Sequence, residues 1–118
     1  MVVYVRDKNE LEDLIRRTKI VLVVFADKSD ESRSISYAAR MFERLREPII
    51  TVAIVDTTEI RDRRLLAEAT TTPQVRLYIN GELVFEQKGG MGYYHKDFIV
   101  LKEGIKSVLA GRGVRFLL

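Results

Sequence analysis

Two serines follow a strongly apolar run, at a position where many proteins keep a reactive pair of side chains. The run Ile20-Val-Leu-Val-Val24 leads into the segment Phe25-Ala-Asp-Lys-Ser-Asp-Glu-Ser-Arg-Ser34, in which two residues separate Ser29 from Ser32. A serine becomes a nucleophile when a base lies within hydrogen-bond reach and a third group orients that base. The chain has one histidine, His95, so a serine hydrolase built on Ser29 and His95 is one hypothesis.

The same serines have a simpler explanation at the start of a helix. Their side-chain oxygens can accept hydrogen bonds from the free N–H groups of the first helical turn, and Asp30 and Glu31 favour the positive end of the helix dipole. Together with Asp27 these acids form a small cluster, which lacks the glycine turn and the alternating ligands of a calcium loop. The pattern therefore favours capping over catalysis, and we expect neither a metal site nor a cofactor.

Arginine-rich segments indicate a second kind of chemistry, the binding of phosphates or of an acidic protein. Arg33, Arg40 and Arg44 are spaced i, i+7 and i+11 on a predicted helix and share one stripe. Three more arginines crowd the next predicted helix: Arg61, Arg63 and Arg64. Acidic residues are interleaved, so ion pairing on a solvated face is the alternative explanation. A nucleic-acid-associated protein that uses this basic face is therefore a second hypothesis.

Composition narrows the class of protein. Of 118 residues, 47% are hydrophobic and 31% are charged, with a net charge of +3, as in a globular domain. The chain has no cysteine, which excludes disulfides, thiolate metal sites and thiol chemistry. The apolar runs are far shorter than the roughly 20 residues that span a bilayer, and the N-terminus lacks a signal-peptide pattern. We therefore expect no membrane association and a cytoplasmic location.

The low number of asparagine and glutamine residues bears on the organism from which the protein comes. The chain carries few thermolabile amides beside 20 lysines and arginines, a balance typical of thermophiles. We therefore predict a thermophilic origin. The amides are Asn9, Gln74, Asn80 and Gln87.

The apolar pattern predicts strands and helices that alternate and then end in a hairpin. Residues 20–26 and 49–55 are almost continuously apolar, as in strands buried on both faces, and Asn80-Gly81 is a strong hairpin signal. The order βαβαβαββα predicts an α/β fold with a central mixed sheet flanked by helices. We expect strands at residues 1–6, 20–26, 49–55, 75–79 and 83–87, and helices after Asp7 and at 30–46, 59–69 and 96–110, the last closed by Gly111.

The ordered combination of these segments resembles the thioredoxin superfamily. Val21-Leu-Val-Val-Phe-Ala26 resembles the strand that leads into the active corner of that family, and Thr51-Val-Ala-Ile-Val-Asp56 resembles the next strand. Thr72-Pro73 corresponds to the cis-proline of the family, Asn80-Gly81-Glu82 to its hairpin turn, and Gly89 to a loop glycine at the substrate groove. The resemblance covers about residues 9–109. It implies one thioredoxin-like domain at 1–118 with an apolar C-terminal extension at 112–118.

The resemblance also implies that redox chemistry has been lost. It places Ser29 and Ser32 on the two redox cysteines, Val24 on the buried acid of the family and Ile54 on the lysine that accompanies this acid. A serine hydroxyl cannot cycle through a disulfide and is far less acidic than a thiol. A buried carboxylate is costly unless it is used, so its replacement by an aliphatic residue is expected. We interpret the chain as a redox-inactive member without oxidoreductase activity.

The resemblance further implies a groove for peptides, because such a groove does not depend on the lost cysteines. In this fold the residue before the cis-proline offers its backbone N–H and C=O to an extended peptide, although the proline is also explained by folding alone. The residues of the predicted groove are Lys28, Ser29, Ser32, Thr72, Pro73, Lys88 and Gly89. The apolar tail Val114-Arg-Phe-Leu-Leu118 either covers its own core or forms a homodimer interface. The predicted function is that of a protein-binding or assembly module whose partner is unknown.

Overall fold

The apolar run after Lys19 forms the central strand of a five-stranded sheet. The structure, a computed structural model, describes residues 2–115. In chain order its elements are β1 (Val2–Tyr4), α1 (Lys8–Arg17), β2 (Ile20–Ala26), α2 (Asp30–Arg40) with a 3-10 extension (Met41–Arg44), β3 (Thr51–Asp56), α3 (Arg63–Leu66), β4 (Gln74–Ile79), β5 (Glu82–Lys88) and α4 (Tyr94–Gly111). The strand order in the sheet is β1-β3-β2-β4-β5.

The sheet is mixed, as the sequence predicts. β1 and β2 flank β3 in parallel, whereas β4 runs antiparallel to both β2 and β5. Parallel neighbours need a crossover, and the helices α1 and α2 supply the two crossovers. The β4–β5 hairpin turns at Asn80 and Gly81, which both have positive φ angles (52° and 82°), as such a tight turn requires.

Helices cover both faces of the sheet, which explains why β2 is apolar at every position. Leu22 and Val24 belong to the core that includes Ile35 of α2 and Leu101 of α4. The alternate residues of the strand belong to a second core on the opposite face, together with residues of α1 and α3: Val21, Val23, Phe25, Leu11, Leu14 and Leu65. All residues of β2 are buried.

The predicted helix at residues 59–69 is wrong, because α3 has one turn only. The chain after β3 first makes a turn in which Glu59 N–H and Ile60 N–H donate to Asp56 O. Asp62 then accepts hydrogen bonds from Arg64 N–H (2.9 Å) and from the distant Lys8 N–H (2.8 Å). Aspartate side chains compete with helical hydrogen bonding in this way. Asp62 is the N-cap, so the helix begins only at Arg63.

Two other helix ends differ from the prediction. The α-helical part of α2 stops at Arg40, and a 3-10 turn, not an α-helix, continues to Arg44. Gly111 belongs to α4, and the residue that ends this helix with a positive φ of 72° is Gly113. The next N–H, of Val114, donates to Leu109 O, as in a Schellman-type end.

The apolar tail is described only in part. Val114 is half-buried and packs against the core shared by α2 and α4. Residues 116–118, on which the predicted dimer interface depends, lie outside the described residues, so the interface stays a prediction. Within residues 2–115, no helix is long and apolar enough to cross a bilayer.

A candidate binding site at the end of the central strand

Ser29 and Ser32 have structural positions at the start of α2. Ser29 is the exposed N-cap, and its hydroxyl oxygen accepts a hydrogen bond from Ser32 N–H (3.1 Å). Ser32 is fully buried, and its hydroxyl oxygen accepts from Asp27 N–H (3.1 Å). Ser32 therefore contributes no surface to a groove, which corrects the sequence-based assignment.

Asp27 ties this corner to the loop before β4. Its Oδ1 accepts from Ser29 N–H (2.8 Å), and its Oδ2 accepts from the hydroxyl of Thr72 (2.6 Å). Hydrogen bonds from the side chains of Ser29 and Thr72 hold the pKa of the Asp27 carboxyl well below its usual range. The carboxylate is therefore ionised at neutral pH and fixes the position of Thr72.

Thr72 has free backbone groups beside its hydrogen bond to Asp27. Within residues 2–115, neither its N–H nor its C=O has a hydrogen-bond partner. The bond between Thr72 and Pro73 is cis, and Pro73 is buried. The carbonyl of Pro73 accepts from Gly89 N–H (2.8 Å). These hydrogen bonds bring Ser29, Thr72 and Gly89 together around the buried Pro73, which adds no surface of its own. We call the surface of Ser29, Thr72 and Gly89 the Thr72 groove.

Hydrogen bonds that sequence reasoning missed fix the loop that follows Gly89. Glu31 Oε1 accepts from Gly90 N–H (2.6 Å). The buried Asp97 accepts from Met91 N–H (2.7 Å) and from the hydroxyl of Ser34 (2.5 Å). These bonds fasten the β5–α4 loop to α2. The sequence shows Asp97 as an acid in the first turn of the last helix. Its partner Ser34 lies 63 positions away, so the local pattern does not reveal the contact.

The two lysines of the predicted groove lie at its margin. Lys28 Nζ is 3.5 Å from Glu59 Oε1 and 4.0 Å from Asp56 Oδ2, so its side chain turns towards the loop after β3. Lys88 Nζ is 4.0 Å from Glu86 Oε1 and its side chain is mostly exposed. Both side chains can move towards a ligand, since exposed ion pairs are weak.

The hydrolase hypothesis finds no support in the geometry. Within the described chain, His95 makes no hydrogen bond to Ser29 or Ser32, and its ring packs edge-on against Tyr94 (centroids 5.4 Å apart). Both serine hydroxyl oxygens accept hydrogen bonds from backbone N–H groups at the start of α2. No group of three or more His, Asp or Glu side chains among residues 2–115 could hold a metal ion.

The six arginines do not form a single basic face. α2, which carries Arg33 and Arg40, packs on one side of the sheet, while Leu65 of α3 belongs to the core on the other side. Arg64 moreover donates to Asn9 Oδ1 (3.0 Å). This corrects the idea of one surface shared by all six and weakens the nucleic-acid hypothesis that depends on it.

Aliphatic residues occupy the two positions where the resemblance places the acid and the lysine of the family. Val24 and Ile54 are register partners on neighbouring strands, and both are buried in the core beneath α2. A charged side chain here would need a partner in an apolar environment. These two positions therefore carry no group that could move protons.

Comparison with known proteins supports the fold. No protein-family model and no curated protein sequence matches the chain, but solved structures do. A mutant thioredoxin from Halobacterium salinarum superposes with a TM-score of 0.70 at 23% identity, over 99% of this chain and 94% of that one. Mitochondrial thioredoxin 3 from Saccharomyces cerevisiae gives 0.69 at 18% identity, over 90% and 94%. A thioredoxin from Plasmodium falciparum gives 0.64 at 17%, over 89% and 97%. The chain therefore has the thioredoxin fold and, without any cysteine, lacks the thiols on which thioredoxin redox chemistry depends.

Proposed function

We propose that the chain is a non-redox binding module that captures extended peptide segments of partner proteins in the Thr72 groove. The observation that carries this proposal is the pair of backbone groups on Thr72, one donor and one acceptor, that have no partner within residues 2–115. An extended peptide can satisfy both by lying alongside as an additional strand. Unpaired backbone groups are costly where water is excluded, so a bound peptide gains from pairing them.

The groove is held in shape before a peptide arrives. Thr72 is bonded to Asp27, Pro73 to Gly89, and Gly90 to Glu31. These contacts link three separate segments of the chain, so little ordering of the protein is required on binding. A site that is already ordered loses less conformational entropy, which favours affinity.

The proposal is tested with peptides selected from a displayed library of random sequences. Affinity of the selected peptides is measured by isothermal titration calorimetry for the wild type and for Thr72→Arg. We expect the arginine variant to weaken binding at least about tenfold, because its long side chain covers the backbone groups; a loss of about 1.4 kcal/mol corresponds to a factor of ten.

Thr72→Ser is the matched control. It keeps the hydroxyl that bonds to Asp27 and the same backbone groups, and it adds no bulk over them, so the peptide should bind nearly as well as to the wild type. If peptides bind Thr72→Arg as tightly as the wild type, the groove is not the peptide site and the proposal is wrong.

A further inference from the structure

We infer that a second cleft, on the side of the corner away from Thr72, binds a small oxyanion ligand that carries a phosphate or carboxylate group. The cleft has a volume of about 290 Å³ and lies between α2 and the carboxyl ends of β1, β2 and β3. We call it the arginine cleft. Its side walls are Tyr4, Arg33, Tyr37 and Arg40, and its floor includes Ala26 and Ile54. Thr72 is not part of it, but Asp27, which holds Thr72, also lines the cleft, so the two proposed sites share this residue.

The two guanidinium groups of this cleft lack anionic partners. Within residues 2–115, no carboxylate lies within 4.0 Å of Arg33 or Arg40, although ten other ion pairs are formed. Arg40 donates from Nη2 to the Tyr4 hydroxyl (2.6 Å) and lies over its ring, with Cζ 5.9 Å from the centroid. Tyr4 thereby orients a guanidinium whose charge is still uncompensated.

Arg40 also carries a donor that is left over. Its Nε is buried and has no hydrogen-bond partner. Arginine has five N–H donors in one plane, and buried donors are nearly always paired with protein, water or a ligand. Arg40 lines the cleft, so we assign the partner of this donor to a ligand bound there. The missing partner is an acceptor, and a negatively charged one matches the cation best.

The acids of the cleft do not serve as that acceptor. Asp27 is engaged by Ser29 and Thr72. Asp56 accepts from Thr58 N–H (3.0 Å) and from the Thr58 hydroxyl (2.6 Å) through Oδ1, while Oδ2 faces Lys28 Nζ at 4.0 Å. Both carboxylates are therefore occupied at the far end of the cleft. The free positive charge lies on the α2 side, where the anion binds.

The dimensions indicate a small molecule as the ligand. A volume of about 290 Å³ is at the lower end of the range of roughly 300–1,000 Å³ that is usual for small-molecule sites. Tyr4 and Tyr37 are 55% and 61% exposed, so each ring offers a face beside the cleft to a planar group attached to the anion. Arginine is well suited to phosphate and to carboxylate alike, and both kinds of ligand enter the test.

The test follows two probes, inorganic pyrophosphate and succinate, by nuclear magnetic resonance on the whole chain. Each is titrated to about 10 mM, roughly tenfold above a Kd on the order of 1 mM, which is typical of two charge-assisted hydrogen bonds. The Arg Nε–H signals and the amides of Tyr4 and Tyr37 are recorded. We expect saturable shifts of the Arg40 Nε–H signal with one probe or both. Pyrophosphate alone would assign the site to phosphates, and succinate alone to carboxylates.

Arg40→Gln should raise the Kd of the bound probe about tenfold or more, because a charged hydrogen bond and a full charge are both lost. Arg44→Gln is the matched control, since it removes the same charge one turn further along, outside the cleft, and should leave binding within about twofold. If Arg40→Gln does not fold, the exposed Arg33→Gln replaces it. Absence of saturable shifts, or equal losses in the Arg40 and Arg44 variants, would overturn the inference.

Discussion

Asp27 organises the corner because one carboxylate holds the start of α2 and the loop before β4 at the same time. Its pKa lies below the ordinary value, so the ionised form favours the folded state. The sequence identified Asp27 as one acid of a cluster but gave no indication of Thr72 as its partner, because the two lie 45 positions apart in the chain. Contacts of this kind depend on the register of the whole sheet and cannot be derived from local pattern.

Asp27→Asn should lower the free energy of unfolding at pH 7 by about 1–3 kcal/mol, because an amide cannot accept at both positions as a carboxylate does. The contribution of a carboxyl with a depressed folded pKa is complete above its unfolded pKa of about 3.9 and is lost as pH falls towards the folded value. The difference between wild type and variant should therefore stay constant above about pH 5 and shrink as the pH falls through 4 towards 2 in urea unfolding experiments. Glu103→Gln, on the exposed side of α4, is the control and should show no such trend.

The two serines should respond differently to the same substitutions. Ser29→Asp preserves an N-cap acceptor and should leave stability within about 0.5 kcal/mol. Ser32→Asp places a charge in a fully buried position and should cost more than about 3 kcal/mol. Thermal and urea unfolding of both variants measure the difference. Equal costs would contradict the assignment of Ser29 to the surface and of Ser32 to the interior.

At the scale of elements, Arg76 joins β4, β5 and the segment after α3. Its Nη1 lies 3.0 Å from Glu68 Oε2, its Nε 3.0 Å from Glu86 Oε2, and its Cζ 5.2 Å from the centroid of the Phe25 ring. Burial disfavours the charge of Arg76, but the hydrogen bonds that it donates to Glu68 and Glu86 outweigh this effect and raise its pKa. The network thus lies over Phe25, on the face of the sheet against which α1 and α3 pack.

Arg76→Lys should destabilise the fold by about 1–2 kcal/mol in urea unfolding, because a lysine cannot reach Glu68 and Glu86 with one planar group. Arg76→Met should cost about 2–3 kcal/mol, since it leaves Glu68 and Glu86 without their shared partner. Arg16→Gln removes the exposed ion pair with Asp13 and should change stability by less than about 0.5 kcal/mol. An Arg76→Lys variant as stable as the wild type would show that the planar guanidinium group is not needed for the stability of the fold.

Two glycines of α4 should give opposite results when changed to alanine. A Cβ on Gly111 would meet nothing within 4 Å, so Gly111→Ala should stabilise the protein by about 0.5 kcal/mol through helix propensity. A Cβ on Gly104 would lie 2.6 Å from Cε1 of Phe85, so Gly104→Ala should destabilise it by about 1 kcal/mol despite the same propensity. Circular dichroism during thermal unfolding measures both.

The elements that sequence reasoning located correctly are those in which local pattern and burial agree. β2 is apolar throughout because it is covered on both faces, and the hairpin follows from Asn80-Gly81 alone. Residues 59–69 contain helix formers and the apolar pair Leu65 and Leu66, yet Asp56 and Asp62 bind backbone N–H groups and shorten the helix. Tertiary bonds such as Lys8 N–H to Asp62 override propensity.

For the molecule as a whole, composition leads to a prediction about heat. Few amides, no cysteine and networks such as Lys8–Glu68–Arg76–Glu86 should give a Tm above the range of about 45–65 °C that is usual for mesophilic domains. Circular dichroism at low and high salt is the measurement. The Tm should be the same with and without a reductant, and a value inside the mesophilic range would contradict a thermophilic origin.

The serines at the start of α2 have a consequence for the lifetime of the complexes that we propose. Because neither Ser29 nor Ser32 can form a mixed disulfide, a peptide bound as proposed would leave at a rate set by non-covalent contacts alone. Its residence time would follow its dissociation rate constant, and changes in the surrounding thiol–disulfide balance would not alter that time at this corner.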